Sequence, residues 1–547
     1  MCHKLKFLFS IPLATITLIS PFALSSCGNQ GIVFANFESY MSPQLMKELH
    51  RQHQINFVNY STNEDILAKF ANSYDIAVPS TYSILELIKK GLLGGVKDGT
   101  NELGIDWKYL GKRYQLTANP ERLESEPVDL INNAKPKSDG YNPRDDSTNA
   151  QCLFSDTIDN VIDSIDKYSH ENGYYKDEQS ILQFAIPYFL QDWMFAYHGD
   201  YIDELPSSNL QEDDNNEWYS AYEDGTPVTW NDIIREIGNK DHDPDPRFNK
   251  NGNRPQLTMV DDSRTVYDMA HLIYDTQSGI SPPGINPTSK ETSLTSIEDV
   301  YSRLTDKFTP NTFRLNSDSQ QVLYSFAKPD NPDDAKFAEN NGIIAYNGDI
   351  LYAAMGAGID QWEDAWYCDP EGEDEYPLID GNFHIVKLKD TPIALDMVVV
   401  NKKINNSSKK NEVYDVLNKV LLEGADLPCE TEEESDQPWI GSSEDDEFVY
   451  GPTLNFDYVS YTPPLWNLNT FVAREVEKPN EYNSYFDMLY PVEAGEPNNK
   501  AELLAEINNV NFVNNGQEDD ARLLEIPLSD LVKSDMSFLW MEYKEKI

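Results

Sequence analysis

The sequence predicts an α/β fold organised around a parallel sheet, and three observations carry that expectation. Residues 31–93 alternate apolar strand runs with helical runs in the order β-α-β-α-β-α, the pattern of parallel strands joined by crossover helices. The first and third of these strands run into aromatic loops, Asn36-Phe37-Glu38-Ser39-Tyr40 and Pro79-Ser80-Thr81-Tyr82. Ligands of parallel sheets sit beyond such carboxyl ends. The chain has 547 residues, 39% hydrophobic and 12% aromatic, a globular composition long enough for two or more domains.

The elements follow in order. After the opening strand, Ile55–Tyr60 reads as a second strand and Asn63–Ala71 as a second helix, then Tyr74–Val78 as a third strand leading into another helix. Residues 100–180 are rich in Asp, Asn, Ser and Lys and read as a surface insertion rather than core. Ile186–Asp200 is apolar again and reads as buried. Residues 203–255 are acidic and loop-like, apart from a helix start at Thr229-Trp230-Asn231-Asp232. Leu257–Val260 is a short strand running into Asp261-Asp262-Ser263-Arg264 and a helical pattern. Gly342–Tyr346, Pro392–Asn401 and Phe456–Tyr461 read as strands, Asn411–Leu422 as a helix, and the C-terminal part as helical. Residues 362–375 are acidic loop, and 425–447 form a strongly acidic insertion.

The formal charge is −50. Nucleic acid is excluded as an expected partner, because its binding needs a basic face. The charge fits a solvated acidic surface and also a small cationic partner. Lys4 and Lys6 precede a mostly apolar stretch, Phe7–Leu24, and then Leu24-Ser25-Ser26-Cys27-Gly28. This order of charged, apolar and small-residue segments is that of a signal peptide, residues 1–26, ending in a lipobox. Its cysteine, Cys27, would carry the lipid (palmitate among the acyl chains) and hold the protein at the extracellular face of the cell membrane. An uncleaved anchor and an ordinary secretory signal are the alternatives. Cys152, Cys368 and Cys429 remain, without metal spacing. One bridge among them is possible in principle, and its pairing stays open.

Enzyme motifs are missing: the chain has neither P-loop spacing nor a Gly-x-Ser-x-Gly elbow, and its histidines lack ligand spacing. His50 and His53 fall on an expected exposed helix end. Asp241-His242-Asp243-Pro244-Asp245 opens like a calcium loop but has Pro246 and Gly252 at the positions that need Gly and Glu. Adjacent carboxylates such as Asp261 and Asp262 are expected by chance in so acidic a chain. The expectation is therefore a binding protein rather than an enzyme, with no metal or cofactor. The positive pattern is aromatic plus acidic. Tyr40, Tyr82, Asp262, Tyr346, Asp349, Asp396 and Tyr461 fall in strands, at their ends, or in the turns after them. A flexible organic polycation needs carboxylates for its ammonium groups and aromatic faces along its methylene spine, each face contributing about 0.5–2 kcal/mol. Any one of these tyrosines taken singly reads as a core or rim residue.

In these segments the chain resembles the substrate-binding proteins of bacterial spermidine/putrescine ABC transporters. Asn36-Phe37-Glu38-Ser39-Tyr40 is similar to the family's Asn-Trp-x-x-Tyr, and Ser61-Thr62-Asn63-Glu64 to its Ser-Asn-Glu helix start. Tyr74-Asp75-Ile76-Ala77-Val78-Pro79-Ser80-Thr81-Tyr82 is similar to its Tyr-Asp-hydrophobic-Val-Pro-Ser-x-Tyr. Ile186-Pro187-Tyr188, Val228-Thr229-Trp230, Asp261-Asp262-Ser263-Arg264, Asn347-Gly348-Asp349, Asp396 and Tyr461-Thr462-Pro463 resemble later family segments in order.

The resemblance implies a two-lobed α/β clamp of the periplasmic-binding-protein type II class, here with acidic insertions, closing over its ligand. Lobe 1 would be 28–195 plus 395–462, and lobe 2 would be 196–394 plus 463–547. It also implies a polyamine ligand and ABC permease partners. Asp262 and Asp396 would bind ammonium groups, Tyr40, Tyr82, Tyr346 and Tyr461 would line the spine, and Phe37 would add a wall. Asp349 belongs to the same implied site. Phe37 and Tyr346 stand where the family usually has Trp. Two positions depart further: Thr265 replaces a Glu that binds an amine in some members, and Ala394 replaces a stacking Trp. A same-fold protein for another small solute, an adhesin that has lost transport, and, more remotely, a secreted hydrolase are the competing readings.

Overall fold

The computed structural model describes residues 31–118 and 154–198 with short gaps. Beyond them it describes 209–212, 218–221, 233, 257–272, 294–307, 313–316, 322, 342–354, 383–387, 393–404, 407–423, 451–459, 461, 464 and 527–546. The signal segment, Cys27, all other cysteines, the calcium-like loop and the acidic stretches at 362–375 and 425–447 lie outside the described residues.

Strands β1 (Val33–Phe37), β2 (Asn56–Tyr60) and β3 (Ile76–Ala77) alternate with helices α1 (Pro43–His53), α2 (Asn63–Ser73) and α3 (Thr81–Lys89). Local chemistry sets the limits of these elements. Pro43 opens α1 with its preset φ. Gln54 ends that helix in the left-handed region at φ 52°. Thr62 caps α2 by accepting from the Asp65 amide. A small hairpin, β4 (Val96–Lys97) and β5 (Thr100–Asn101), precedes α4 (Trp107–Ala118) and α5 (Asp156–Glu171). Then comes β6 (Ala185–His198), whose 14 residues extend about 46 Å at the usual rise per residue. A second hairpin, β7 (Asn209–Glu212) and β8 (Trp218–Ala221), follows. The remaining described elements are β9 (Leu257–Val260), α6 (Ser263–Leu272), α7 (Leu294–Lys307), β10 (Phe313–Asn316), β11 (Gly342–Tyr346), α8 (Asn347–Ala354), β12 (Phe383–Lys387), β13 (Ile393–Val400), α9 (Lys410–Leu421), α10 (Gly451–Val459) and α11 (Asp530–Tyr543).

The main sheet has the order β10-β9-β11-β6-β13-β3-β1-β2, with β12 also on β6. β1 is parallel to β2 and β3, and β9 is parallel to β10 and β11. The long β6 joins these parallel parts. Its first half pairs antiparallel with β13, and its second half with β11 and β12. The sheet is therefore mixed, with two parallel parts, each covered by helices.

Two apolar clusters pack on it. One gathers Phe34, Ile76, Leu45, Phe70, Ile186, Leu395 and Tyr461 and extends to Met194, Ile343 and Ile350. The other gathers Trp193, Phe195, Tyr197, Leu257, Met259, Tyr301, Ile344 and Trp540. Alternation along β6 sends Met194 and Ala196 to the first cluster and Trp193, Phe195 and Tyr197 to the second. This is a two-lobed α/β architecture in which one strand belongs to both parts.

Two expectations are corrected. Residues 100–180 contribute to the core: Trp107, Leu110, Ile158, Val161, Ile162 and Ile165 are buried in the first cluster. The four from α5 stand at i, i+3, i+4 and i+7, the apolar stripe of an amphipathic helix, which the polar average of the region conceals. Phe456–Tyr461 is not a strand, because α10 runs through Val459. Its start lies against α9, where a Cβ on Gly451 would be 2.0 Å from the Lys419 carbonyl oxygen. Asn455 pins it further, accepting from the Ser42 amide and donating to the Tyr188 hydroxyl. These tertiary contacts override the strand preference of the aromatic run.

Candidate ligand-binding site

Asp396 is the centre of the site. It lies mid-strand in β13 at a register shift between Asp396 and Met397 and is 1% exposed. Three side chains donate to its carboxylate: Tyr40 Oη to Oδ2 at 2.7 Å, Gln191 Nε2 to Oδ2 at 2.7 Å and Ser80 Oγ to Oδ1 at 2.6 Å. They come from the β1–α1 loop, from β6 and from the start of α3. The parallel part of the sheet thus delivers its strand ends to one carboxylate. Burial pushes the Asp396 carboxyl up to about 6, against the lowering effect of the Ser80 and Tyr40 hydrogen bonds. All three donors are neutral, and none of the ion pairs among the described residues involves Asp396.

The network continues outward through aromatic rings. Tyr40 packs edge-on against Phe37 and lies 5.3 Å from the Tyr461 ring, with Tyr188 and Phe189 on its other sides. The Tyr461 hydroxyl donates to Asp349 Oδ1 at 2.8 Å. Asp349 is in the first turn of α8, half-buried, and burial pushes its carboxyl up to about 6. Gly348 permits this approach: a Cβ there would be 2.2 Å from Tyr461 Cδ1. Burial, reinforced by the neighbouring aspartates, holds the Tyr40 and Tyr461 phenols well above their ordinary value. Both stay protonated hydrogen-bond donors at neutral pH.

The remaining expected residues occupy the margins. Tyr346 lies against Trp193 at 4.2 Å and packs on both clusters. Tyr82 is buried at the start of α3, and the Arg264 guanidinium lies 5.6 Å from its ring centroid. Arg264 also pairs with buried Asp268 at 2.7 Å. Asp262 is the N-cap of α6: its Oδ1 accepts from the Thr265 amide at 2.8 Å, and its carbonyl accepts from Val266. Asp261 serves α11 instead, accepting from Trp540 Nε1 and Lys544. A second contact between the two parts is the ion pair of Lys533 in α11 with Glu86 in α3.

Phe37, Tyr40, Asp396, Tyr461 and Asp349 therefore form one continuous group, with Tyr346 beside it, while Arg264 lies over Tyr82 and Asp262 caps α6. Sequence reasoning missed Gln191 and Ser80. Gln191 is buried, and a glutamine inside an apolar run was the signal for it. Ser80 lies inside the Tyr74–Tyr82 segment, where nothing local marks it as a donor to a distant carboxylate. Ala394, which stands in place of a stacking Trp, is paired in register with Gln191. Among the described residues no group of three His, Cys, Asp or Glu side chains is placed to hold a metal, and no helix is long and apolar enough to cross a membrane.

The described residues define a mixed α/β fold whose two parallel parts are joined by β6, with this aromatic–acidic group at the strand ends of one part. The chain belongs to the hypothetical lipoprotein family described as the MG045 family, whose profile matches residues 1–103 and 129–484. No curated protein sequence matches it. Among solved structures, it is similar to a putative spermidine/putrescine ABC transporter from Listeria monocytogenes, at 15% identity and a TM-score of 0.42 over 94% of this chain and 98% of that one. It is also similar to maltose-bound MalE3 of T. maritima, at 9% identity and a TM-score of 0.44 over 94% and 95% of the two chains. Thiaminase I from Bacillus thiaminolyticus gives 10% identity and a TM-score of 0.40 over 94% and 99%. At such identities and scores these likenesses do not argue for any ligand, and the functional reading rests on the chain's own residues.

Proposed function

We propose that this protein is a lipid-anchored extracellular substrate-binding protein that captures a polyamine of the spermidine/putrescine class for import by an ABC permease. Cleavage after residue 26 and lipidation of Cys27 provide the anchor, and the protein acts as a receptor rather than an enzyme. Its lobes are 28–195 plus 395–462 and 196–394 plus 463–547.

The observation that carries this reading is the run Asp396–Tyr40–Tyr461–Asp349. Two carboxylates are joined by two tyrosines, and neither carboxylate is in an ion pair with a described cation. A carboxylate in such surroundings is stabilised by an incoming positive charge. Asp396 accepts three hydrogen bonds, and a carboxylate offers about four acceptor positions, so one remains for an ammonium group. The rings of Tyr40, Tyr461, Phe37 and Tyr346 supply faces for the methylene spine.

Calorimetric titration of the chain with spermidine and putrescine tests this. Binding by the wild type that is lost in Asp396→Asn is expected. No heat with either amine, or equal binding by the variant, overturns the assignment.

One observation favours a second reading. Arg264 already places a cation over Tyr82, which suits a zwitterionic or anionic end group there. A thermal-shift screen separates the two, because a bound solute raises apparent stability. Amines raise the melting temperature under the first reading, and zwitterionic or anionic solutes do so under the second.

A further inference from the structure

Among the described residues, four segments at the end of the sheet opposite the candidate site are together rich in lysine and arginine. At that end β1 begins, with Gly31 and Ile32 beside Gln54 and Asn56. Asp75, at the start of β3, accepts from the Val33 amide, and Asn401, at the end of β13, donates to the Asp75 carbonyl. The Lys402 amide and ammonium reach Leu92 and Gly91, just past α3. These contacts gather segments 50–56, 73–76, 86–93 and 400–410 at one end. Together they contain seven lysines and arginines and two acids, Asp75 and Glu86. The whole chain has 43 basic and 93 acidic residues, so the local excess of positive charge is not its average.

Both acids are engaged, and Asp106, from outside these segments, pairs with Lys410 at 2.6 Å. With Asp75 set against Lys409 and Glu86 against Lys533, five of the seven basic residues are in excess of the described acids at this end. Asp75 is buried and paired with Lys403 at 3.8 Å and Lys409 at 3.3 Å, and Glu86 is paired with Lys90 and Lys533. Arg51, Lys90, Lys402 and Lys403 are exposed. Lysines at helix ends ordinarily serve the helix dipole, and Lys90 fits that role. Lys402 and Lys403 do not, since they lie in the turn after β13.

The position of the chain start adds a second, independent constraint. Lys409 Nζ donates to the Gly31 carbonyl at 3.3 Å, and Gly31 is four residues after Cys27. Four residues extend at most about 14 Å. A lipid on Cys27 therefore keeps this end no farther than roughly that distance from the head groups, and over the nearer part of that range, inside a Debye length of about 8 Å, screening is incomplete.

We infer that the basic end around Lys402, Lys403, Lys90 and Arg51 is a membrane-facing surface that binds anionic lipid head groups and turns the candidate site away from the bilayer. The inference rests on the lipid anchor proposed above. It explains how a chain of net charge −50 is held against an anionic bilayer that repels the rest of it. Each lysine close to an anionic surface strengthens binding about five-fold.

The test uses the full lipidated chain in vesicles of phosphatidylcholine alone or with one third phosphatidylglycerol. Flotation reports the anchor, and a water-soluble amine-reactive label read by mass spectrometry reports the face. Flotation with both vesicles is expected. Labelling of Lys90, Lys402 and Lys403 should fall about five-fold on phosphatidylglycerol and recover in about 1 M salt. Lys546, on the exposed end beyond α11, should change little. The double variant Lys402→Glu/Lys403→Glu should float equally and lose the protection. Flotation with equal labelling on both vesicles overturns the inference and leaves the anchor standing. Failure to float with either overturns the anchor and this inference with it.

Discussion

Asp396, inside β13, and Asp262, just after β9, are the same residue type and are both expected to meet an ammonium group, yet the fold uses them differently. Asp396 is sealed inside the sheet, and three neutral donors from three distant segments converge on it. Asp262 sits at a helix start, and its carboxylate satisfies the first turn of its own helix. The first is a long-range centre whose charge is raised in cost by burial. The second does a local capping task that any helix can require.

The largest expected effect tests that difference directly. Asp396→Ala takes the acceptor away from three buried donors, of which Gln191 keeps a second bond to the Tyr40 hydroxyl, at about 1–3 kcal/mol for each group that finds no substitute. Urea denaturation should show a loss of about 3–5 kcal/mol. A loss below about 1 kcal/mol would mean that the three donors have alternative partners.

The pH dependence comes next. The Asp396 carboxyl titrates at about 6 in the folded chain and near the ordinary value, about 4, when unfolded. Between these values the folded state holds the extra proton. The contribution is fully present below about pH 4 and is lost as pH rises to about 6. Melting temperatures on either side of this window should therefore fall less with rising pH in Asp396→Asn than in the wild type. Equal slopes would place the proton on another group.

Gly348→Ala should be intermediate. The added methyl meets Tyr461 carbons and the Val459 carbonyl within 2.6 Å, so the ring must move away from Asp349. Overpacking of this kind costs about 1–3 kcal/mol, and thermal denaturation measures it. Wild-type stability in that variant would mean that the Tyr461–Asp349 contact is adjustable.

The smallest effect is at Asp262. Asp262→Ala removes one cap and should cost about 1 kcal/mol by the same denaturation assay. A cost equal to that of Asp396→Ala would erase the distinction between the two aspartates.

The first αβ block was the most legible part. In 31–93 the apolar runs are local, the caps are adjacent to their helices, and β2 and β3 fall within the expected spans, while β1 runs two residues into the expected aromatic loop, through Asn36 and Phe37. Leu257–Val260 and Gly342–Tyr346 were legible to the residue for the same reason. The region 100–180 was misread because composition was averaged over a segment whose apolar residues are few but in helical phase. The run at 456–461 was misread because local strand preference is weak against three specific tertiary contacts. Of the site, the residue types were legible and their grouping was not.

The sequence by itself determined the α/β periodicity, the acidic surplus, the lipobox pattern and the supply of aromatic and acidic residues at strand ends. These are local quantities, set by side-chain chemistry and by spacing of two or of three to four residues. Only the tertiary structure decided that Tyr40 meets Asp396 across 356 positions of chain, that Tyr461 reaches Asp349, and that Asp262 is occupied by its own helix. It also gathers Lys90, Lys402 and Lys403 at the end of the sheet where β1 starts. The physical reason is that hydrogen-bond partners and local dielectric depend on which strands lie side by side, and a register spanning hundreds of residues leaves no periodic trace in the sequence.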